Sequence, residues 1–558
     1  MAKAVWSPDL GDGTYKNPII HADYSDPDVI RAGKDFFMVA SSFNSCPALP
    51  ILHSRDLVNW SIVNHVAPSL PFERYERPDH GRGVWAPSLR CRDGLFYVYF
   101  AMPDEGVFMS KTDDPFGEWS PLARVKRVAG WIDPCPFWDD DGSAYLVNAF
   151  ANSRIGFKSM LRITRMKEDG SEILGEGRFV FDGQADHATI EGPKLYKRNG
   201  YYYIFAPAGG VRTGWQTVLR SKDIFGPYEA KIVLHQGDSP VNGPHQGGWV
   251  ELENGDSWFL HFQDLGAYGR IIHLQPMSWA DDWPAMGIDT NGDGIGEPLL
   301  RHQKPSVGEA CAPSVPATSD DFSKPKLGLQ WQWQANPKED WHSLTARPGR
   351  LRLYARAWPP ASAGAAKADA AKGGSAGGRS LAELPQVLTQ KFPAPVFTAE
   401  TRVELCCAGG GAASVAGLIV YGDDYRSVAL RKDGQGYAIV LYSGGFRIDP
   451  FQDIDPASRW EKVEELERLG DGGLSGGDLQ KATAAVFRLR VEEGAICSIF
   501  YSLDGREFKA AGEAFAARPG IWVGAKAGIF CAAIVEGVVG ASARAENYAD
   551  FEYFKVEP

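Results

Sequence analysis

Residues 1–300 alternate short runs rich in Val, Ile, Phe, Tyr and Trp with turn residues, at strand spacing rather than helical spacing. The stretch 189–210, TIEGPKLYKRNGYYYIFAPAGG, shows the unit most plainly. It has an apolar run at 194–196, an Asn199-Gly200 pair and a second, aromatic run at 201–205. Asn-Gly between two such runs predicts a hairpin, because a type I′ turn needs positive φ at both central positions. The template recurs along the chain. It opens at Asp26-Pro27-Asp28, Trp85-Ala86-Pro87, Asp133-Pro134, Glu191-Gly192-Pro193 and His245-Gln246-Gly247, each opening followed by a strand, a Gly- and Asp- or Asn-containing turn and further strands. Units of roughly four strands, repeating every 45 to 60 residues or so, predict a five-bladed β-propeller. The near-absence of helical periodicity excludes an alternating β/α barrel.

The Pro-rich segment 304–318, KPSVGEACAPSVPAT, reads as a linker. Beyond it, alternating runs such as 349–358, 396–405, 416–422, 425–432, 437–443, 486–493, 496–502 and 548–556 predict a β-sandwich closed by the C-terminal strand. The expected organisation is therefore all-β: a propeller over residues 1–303, a linker at 304–318 and a sandwich over 319–558. Two insertions, the low-complexity 361–378 and the glycine-rich 467–478, are expected to be surface loops.

Composition narrows the partners. A chain of 558 residues is too long for one core, and a net charge of −12 argues against nucleic acid. No run of eighteen apolar residues is present, so no membrane span is expected. The N-terminal MAKAVWSPDLGDG lacks the apolar region of a signal peptide, which predicts an intracellular protein unless a leader has been removed. The eight cysteines follow no zinc spacing and read as small buried apolar residues.

In a propeller, the first strand of each blade lines the axis, so equivalent positions converge. Asp26, Trp85, Asp133, Glu191 and His245 stand at the openings of those strands. Three carboxylates in one small volume cost stability, and their presence points to function. Facing carboxylates are the equipment of glycoside hydrolysis, one protonating the leaving oxygen while the other acts on water or the sugar.

The chain resembles glycoside hydrolase family 43, in particular its two-domain β-xylosidases and α-L-arabinofuranosidases. The motifs that carry the resemblance are 17–33 (NPIIHADYSDPDVIRAG), ILHSRDLVNW, 84–90 (VWAPSLR), 131–142 (WIDPCPFWDDDG), IEGPKLYKRNGYYY, 242–250 (NGPHQGGWV) and the terminal YADFEYFKV. The match preserves order over nearly the whole chain. It implies a five-bladed propeller followed by a concanavalin A-like sandwich. It further implies that Asp26 is the general base, Glu191 the general acid, and Asp133 the residue that orients Glu191 and raises its pKa. Inversion at the anomeric centre would set Asp26 and Glu191 about 6.5 to 9.5 Å apart. Arg270 falls where the family contacts sugar and carboxylates, and His245 where a histidine faces a Ca²⁺ or other cation, usually water-coordinated, on the axis. Phe43, Trp85 and Trp215 are expected walls of the sugar pocket. No organic cofactor is implied.

Exo-acting release of terminal β-D-xylose, α-L-arabinofuranose or both from plant cell-wall oligosaccharides is the expected activity, and the oligomeric state is open. An endo-arabinanase has the same three acids in an open cleft. A fructan or sucrose hydrolase expects Asn-Asp-Pro-Asn and Arg-Asp-Pro, where this chain has Ser-Asp-Pro-Asp and Ile-Asp-Pro. A non-catalytic sugar-binding propeller would not need all three acids. Two further acidic motifs read differently: 289–297 resembles an EF-hand start but lacks its twelfth-position glutamate, so it is expected to be a turn, whereas Asp321 and Asp550 are weighed as holders of a structural cation in the sandwich.

Overall fold

The computed structural model describes residues 4–358, 380–407, 413–445, 460–470, 481–534 and 547–558. The insertion at 361–378 lies outside them, as does 471–478 of the second; residues 467–470 belong to a strand, Trp460–Gly470, rather than to a loop.

Among the described residues, the propeller consists of five antiparallel four-stranded sheets, each built from consecutive strands. Their innermost strands are Asp28–Ala32, Trp85–Arg92, Trp131–Trp138, Lys194–Arg198 and His245–Glu251. Each pairs with the strand that follows it, so every blade begins as a hairpin. Asn199 and Gly200 take φ 50° and 74°, the positive values that a type I′ turn requires. Thr14–Lys16 pairs with Arg301–Gln303, tying the start of the propeller chain to its end.

The blades are pinned to one another near the axis by buried polar groups. Asp28, with no exposed surface, accepts from Leu89 N–H at 2.9 Å and from Arg90 Nη1 at 2.7 Å. Buried Lys194 reaches back to Pro87 O and Ser88 Oγ at 3.1 and 3.0 Å. A buried charge is tolerable only when so paired.

Among the described residues, two eight-stranded sheets form the sandwich. One runs in the order Gln332–Trp333, Leu388–Lys391, Lys526–Ile534, Ala413–Tyr421, Asp424–Asp433, Gly436–Gly445, Trp460–Gly470, with Arg356–Trp358 parallel to Lys526–Ile534. The other is centred on Phe397–Cys407, which pairs with Lys481–Glu492 and with the C-terminal Tyr548–Glu557. Inward positions alternate along Phe397–Cys407, the period-two pattern of a strand with one face on the core.

The two domains share a core. Tyr268 and Ile271 of the propeller are buried in the same apolar cluster as Trp331, Phe392, Phe397 and Phe487 of the sandwich. Cys46 and Trp333 exchange backbone hydrogen bonds of 3.0 and 2.6 Å across the boundary. Six of the eight cysteines are buried and all eight are free thiols. Asp550 is bound by Arg352 and Arg347, whereas Asp321 caps an exposed turn through Ser323, so these two acids do not form a joint cation site. Residues 289–294 form a turn, with Asp289 accepting from Gly292 and Gly294 N–H. No helix among the described residues is long and apolar enough to cross a membrane.

Candidate active site

One cavity of about 440 Å³ opens at the propeller mouth, and it is lined by Asp26, Phe43, Trp85, Asp133, Glu191, His245 and Arg270, together with Ala86, Ile132, Val211, Gln246 and Trp522. Seven of the eight site residues expected from the sequence are thus brought together. Trp215 is not among the lining residues. Its ring packs near His187 and its Nε1 donates to Thr217 Oγ1 at 3.1 Å.

Local backbone geometry aims these side chains. Asp26, Phe43, Asp133, Gln246 and Trp522 all adopt positive φ, between 36° and 63°. Non-glycine residues rarely occupy this region, and such strain concentrates where function requires it. Three innermost strands also slip register at the mouth, between Trp85 and Ser88, between Ile132 and Cys135, and between His245 and Gly247. A β-bulge there turns Asp133 and Gln246 out of the regular ladder. Asp26 and Asp133 each precede a proline, which disfavours the right-handed helical conformation at those residues.

Asp26 accepts hydrogen bonds from three donors. Ser25 Oγ and Ser41 Oγ donate to Oδ2 at 2.9 and 2.6 Å, and Arg270 Nη1 donates to Oδ1 at 2.7 Å. Arg270 also donates to Ser25 Oγ at 2.6 Å and lies 4.8 Å from the centre of the Phe262 ring and 5.8 Å from that of Trp522. Asp133 Oδ2 accepts from Gly192 N–H at 2.7 Å, which links it to the residue following Glu191. Burial first, then the charge of Glu191, then that of Asp26, push the Asp133 carboxyl well above the ordinary carboxylate range, against the pull of the Gly192 N–H and Lys194.

Glu191 has about a quarter of its side chain exposed, and its Oε1 shares a 2.9 Å hydrogen bond with His245 Nε2, directed by the imidazole tautomer. His245 Nδ1 is buried without a partner. A hard cation such as Ca²⁺ takes six to eight oxygen ligands. No group of three or more His, Cys, Asp or Glu side chains able to hold a metal occurs among the described residues. The residues present do not by themselves build a protein-ligated cation cage.

Of the five lining residues not expected from the sequence, Gln246 and Trp522 bring a polar and an aromatic side chain to the pocket. Gln246 sits in the fifth-blade bulge with its side chain against Gly192, where a Cβ would come within 2.8 Å of it. Its place beside His245 at a blade opening was the available signal. Trp522 comes from the sandwich. Its ring meets that of Trp85 edge to face at 6.2 Å, and the preceding Ile521 lies so close to Gly81 that a Cβ there would stand 2.3 Å away. Nothing in the local sequence around 520–526 marks it.

A propeller pocket that gathers three acids and an arginine holds the groups that glycoside hydrolysis uses. Residues 15–284 match the profile described as "Glycosyl hydrolases family 43", and residues 319–557 match "Beta xylosidase C-terminal Concanavalin A-like domain". The chain is 40% identical over 536 residues to a Xylanibacter ruminicola protein named "Putative beta-xylosidase", covering 93% of this chain and 86% of that one. It is 31% identical over 376 residues to the Bacteroides ovatus "Non-reducing end alpha-L-arabinofuranosidase BoGH43B", covering 62% and 65% of the two chains. Among solved structures, a Bacteroides eggerthii protein described as "Bifunctional GH43-CE" superposes with a TM-score of 0.76 at 27% identity, over 97% of this chain and 63% of that one. The protein belongs to glycosyl hydrolase family 43.

Proposed function

We propose that the protein is an exo-acting, inverting glycosidase that releases terminal β-D-xylose, α-L-arabinofuranose or both from plant cell-wall oligosaccharides. The carrying observation is that Asp26, Asp133, Glu191 and Arg270 line one cavity walled on the sandwich side by Trp522. In this reading Asp26, fixed by Ser25, Ser41 and Arg270, takes a proton from the attacking water. Glu191, partly exposed beside His245, protonates the leaving oxygen. Asp133, whose carboxyl burial and its acidic neighbours push up, orients Glu191 through the Gly192 N–H. Phe43, Trp85 and Trp522 offer ring faces to the sugar.

The names of the two curated relatives, a β-xylosidase and a non-reducing-end arabinofuranosidase, support these two sugars and exo action. An endo-arabinanase is the alternative, but it needs an open cleft, and the wall formed by Trp85 and Trp522 speaks against it. A panel of para-nitrophenyl β-D-xyloside, para-nitrophenyl α-L-arabinofuranoside, xylo-oligosaccharides and linear arabinan, with proton NMR of the first product anomer, tests the proposal. Monosaccharide release with inverted configuration is expected. Retained configuration would remove Asp26 as base, and arabinan cut internally with no monosaccharide release would replace exo by endo action.

A further inference from the structure

Asp23 lies three residues before Asp26, is 4% exposed, and does not line the cavity. Its two oxygens face two domains. Oδ1 accepts from the backbone N–H of Arg270 at 2.9 Å, and Oδ2 accepts from the backbone N–H of Gly524 at 3.0 Å. Arg270 grips Asp26, while Gly524 stands two residues after Trp522. We propose that Asp23 is a positioning residue that couples the Trp522-bearing turn of the sandwich to the arginine holding the catalytic base.

The seam around Asp23 has no slack. A Cβ on Gly269 would fall 2.5 Å from Asp23 Cγ, and one on Gly524 would fall 2.7 Å from Gly269 N. The next residue, Ala525, donates its N–H to Ala267 O at 2.7 Å, so the turn and the 267–270 segment run in contact on both sides of the carboxylate. Lys391 and Lys526 are directly opposite one another on neighbouring strands of the sheet that meets the propeller. Lys526 donates to Ser45 Oγ at 2.8 Å; Lys391 donates to Gln332 Oε1 at 3.0 Å and lies 5.2 Å from the Tyr24 ring centre. Like charges facing across a ladder repel, and Asp23 is the acid whose charge acts on both. Two backbone donors therefore converge on a single carboxylate, whose charge counters the burial that lowers the pKa of both lysines.

An amide cannot replace it. Asn offers one acceptor oxygen, and its NH₂ would confront the second N–H. In Asp23→Asn, either the sandwich turn or Arg270 loses its anchor, so Trp522 and the base no longer hold a common geometry. Misplacement of this kind costs about ten- to a hundredfold in rate.

The kinetic test rests on the glycosidase reading; an exchange test does not. In a cycle of Asp23→Asn, Trp522→Ala and the double variant, each checked for folding by a cooperative thermal melt, Asp23→Asn is expected to lower kcat/KM at least tenfold. The double variant should lose less than the product of the single losses, because both substitutions disturb the same wall. An Asp23→Asn enzyme within twofold of wild type, or losses that multiply in full, would overturn the proposal. Should Asp23→Asn fail to fold, or the wild type turn over none of the substrates, hydrogen exchange of the unmodified protein decides. Segments 268–271 and 523–525 should open as one unit with equal protection. Markedly faster exchange at 523–525 alone would show that the turn is not held from the propeller side.

Discussion

The propeller and the sandwich are made of the same kind of strand yet hold opposite interiors. Around the propeller axis, strand openings carry Asp26, Asp133, Glu191 and His245, and the polar pins Asp28–Arg90 and Lys194–Ser88 lie deeper along the same strands. Between the two sandwich sheets lie Val403, Leu405, Leu418, Val428, Ile439, Phe487, Leu489 and Ile529, each buried in one apolar cluster. The difference follows from geometry. Blades set around an axis bring the same end of every inner strand to one place, so a polar residue there meets polar residues from other repeats. Sheets stacked face to face have no such point, and inward positions simply fill with hydrocarbon. The sandwich reaches the chemistry only through a turn that lays Trp522 against Trp85.

The strongest way to break this contrast is to remove the axial acids. Glu191→Gln or Asp26→Asn should lower kcat by about three orders of magnitude while leaving the melting temperature near wild type, as expected for general acid and base groups. An active Glu191→Gln enzyme on poor leaving groups would dissolve the distinction between a chemical propeller and a structural sandwich. A smaller effect concerns the boundary between them. His21 packs against Trp6 and Tyr268, whose hydroxyl donates into the sandwich, and burial holds its imidazole down at about 4. The unfolded chain takes up that proton near pH 6.5, whereas the folded one does not until about pH 4, so stability is lost as pH falls through this window. The loss is on the order of 3 kcal/mol. Thermal melts of wild type and His21→Leu from pH 7 to 4 should show a visibly shallower acid decline in the variant; parallel curves would exclude the histidine as its source.

Two aromatic substitutions sharpen the picture further. Trp522→Ala removes the sandwich's one contribution to the cavity lining among the described residues and should raise KM about tenfold, with a lesser change in kcat, corresponding to about 1.4 kcal/mol of ring contact. Trp215→Ala, outside the cavity lining, should leave kcat/KM within about twofold for a monosaccharide glycoside, the size expected away from the reacting centre. Steady-state kinetics on the same para-nitrophenyl substrates measure both, and reversed magnitudes would mean that the pocket wall has been assigned to the wrong domain.

Much of this was legible in residue order because strand and turn chemistry is local. Asn199-Gly200 prescribes its own turn, and the Asp-Pro and Glu-Gly-Pro openings recur at blade spacing. Trp215 misled because an aromatic at a strand start near the right repeat resembles a wall residue, and only packing decides which way its ring turns. The strand Trp460–Gly470 was hidden by charge: Glu461, Lys462, Glu464 and Glu465 belong on the exposed edge of a sheet, where polarity guards against further pairing.

The amino-acid sequence alone determined the strands, their repetition and the acids at the blade openings, because hydrophobic period, turn residues and repeat spacing act over a few residues to a few tens. Only the tertiary structure decided that Trp522 completes the pocket, that Gln246 sits in a bulge beside Glu191, and that Asp23 spans the domain seam. Those contacts join residues as much as 501 positions apart, and no local pattern encodes which surfaces of two separately built domains will meet.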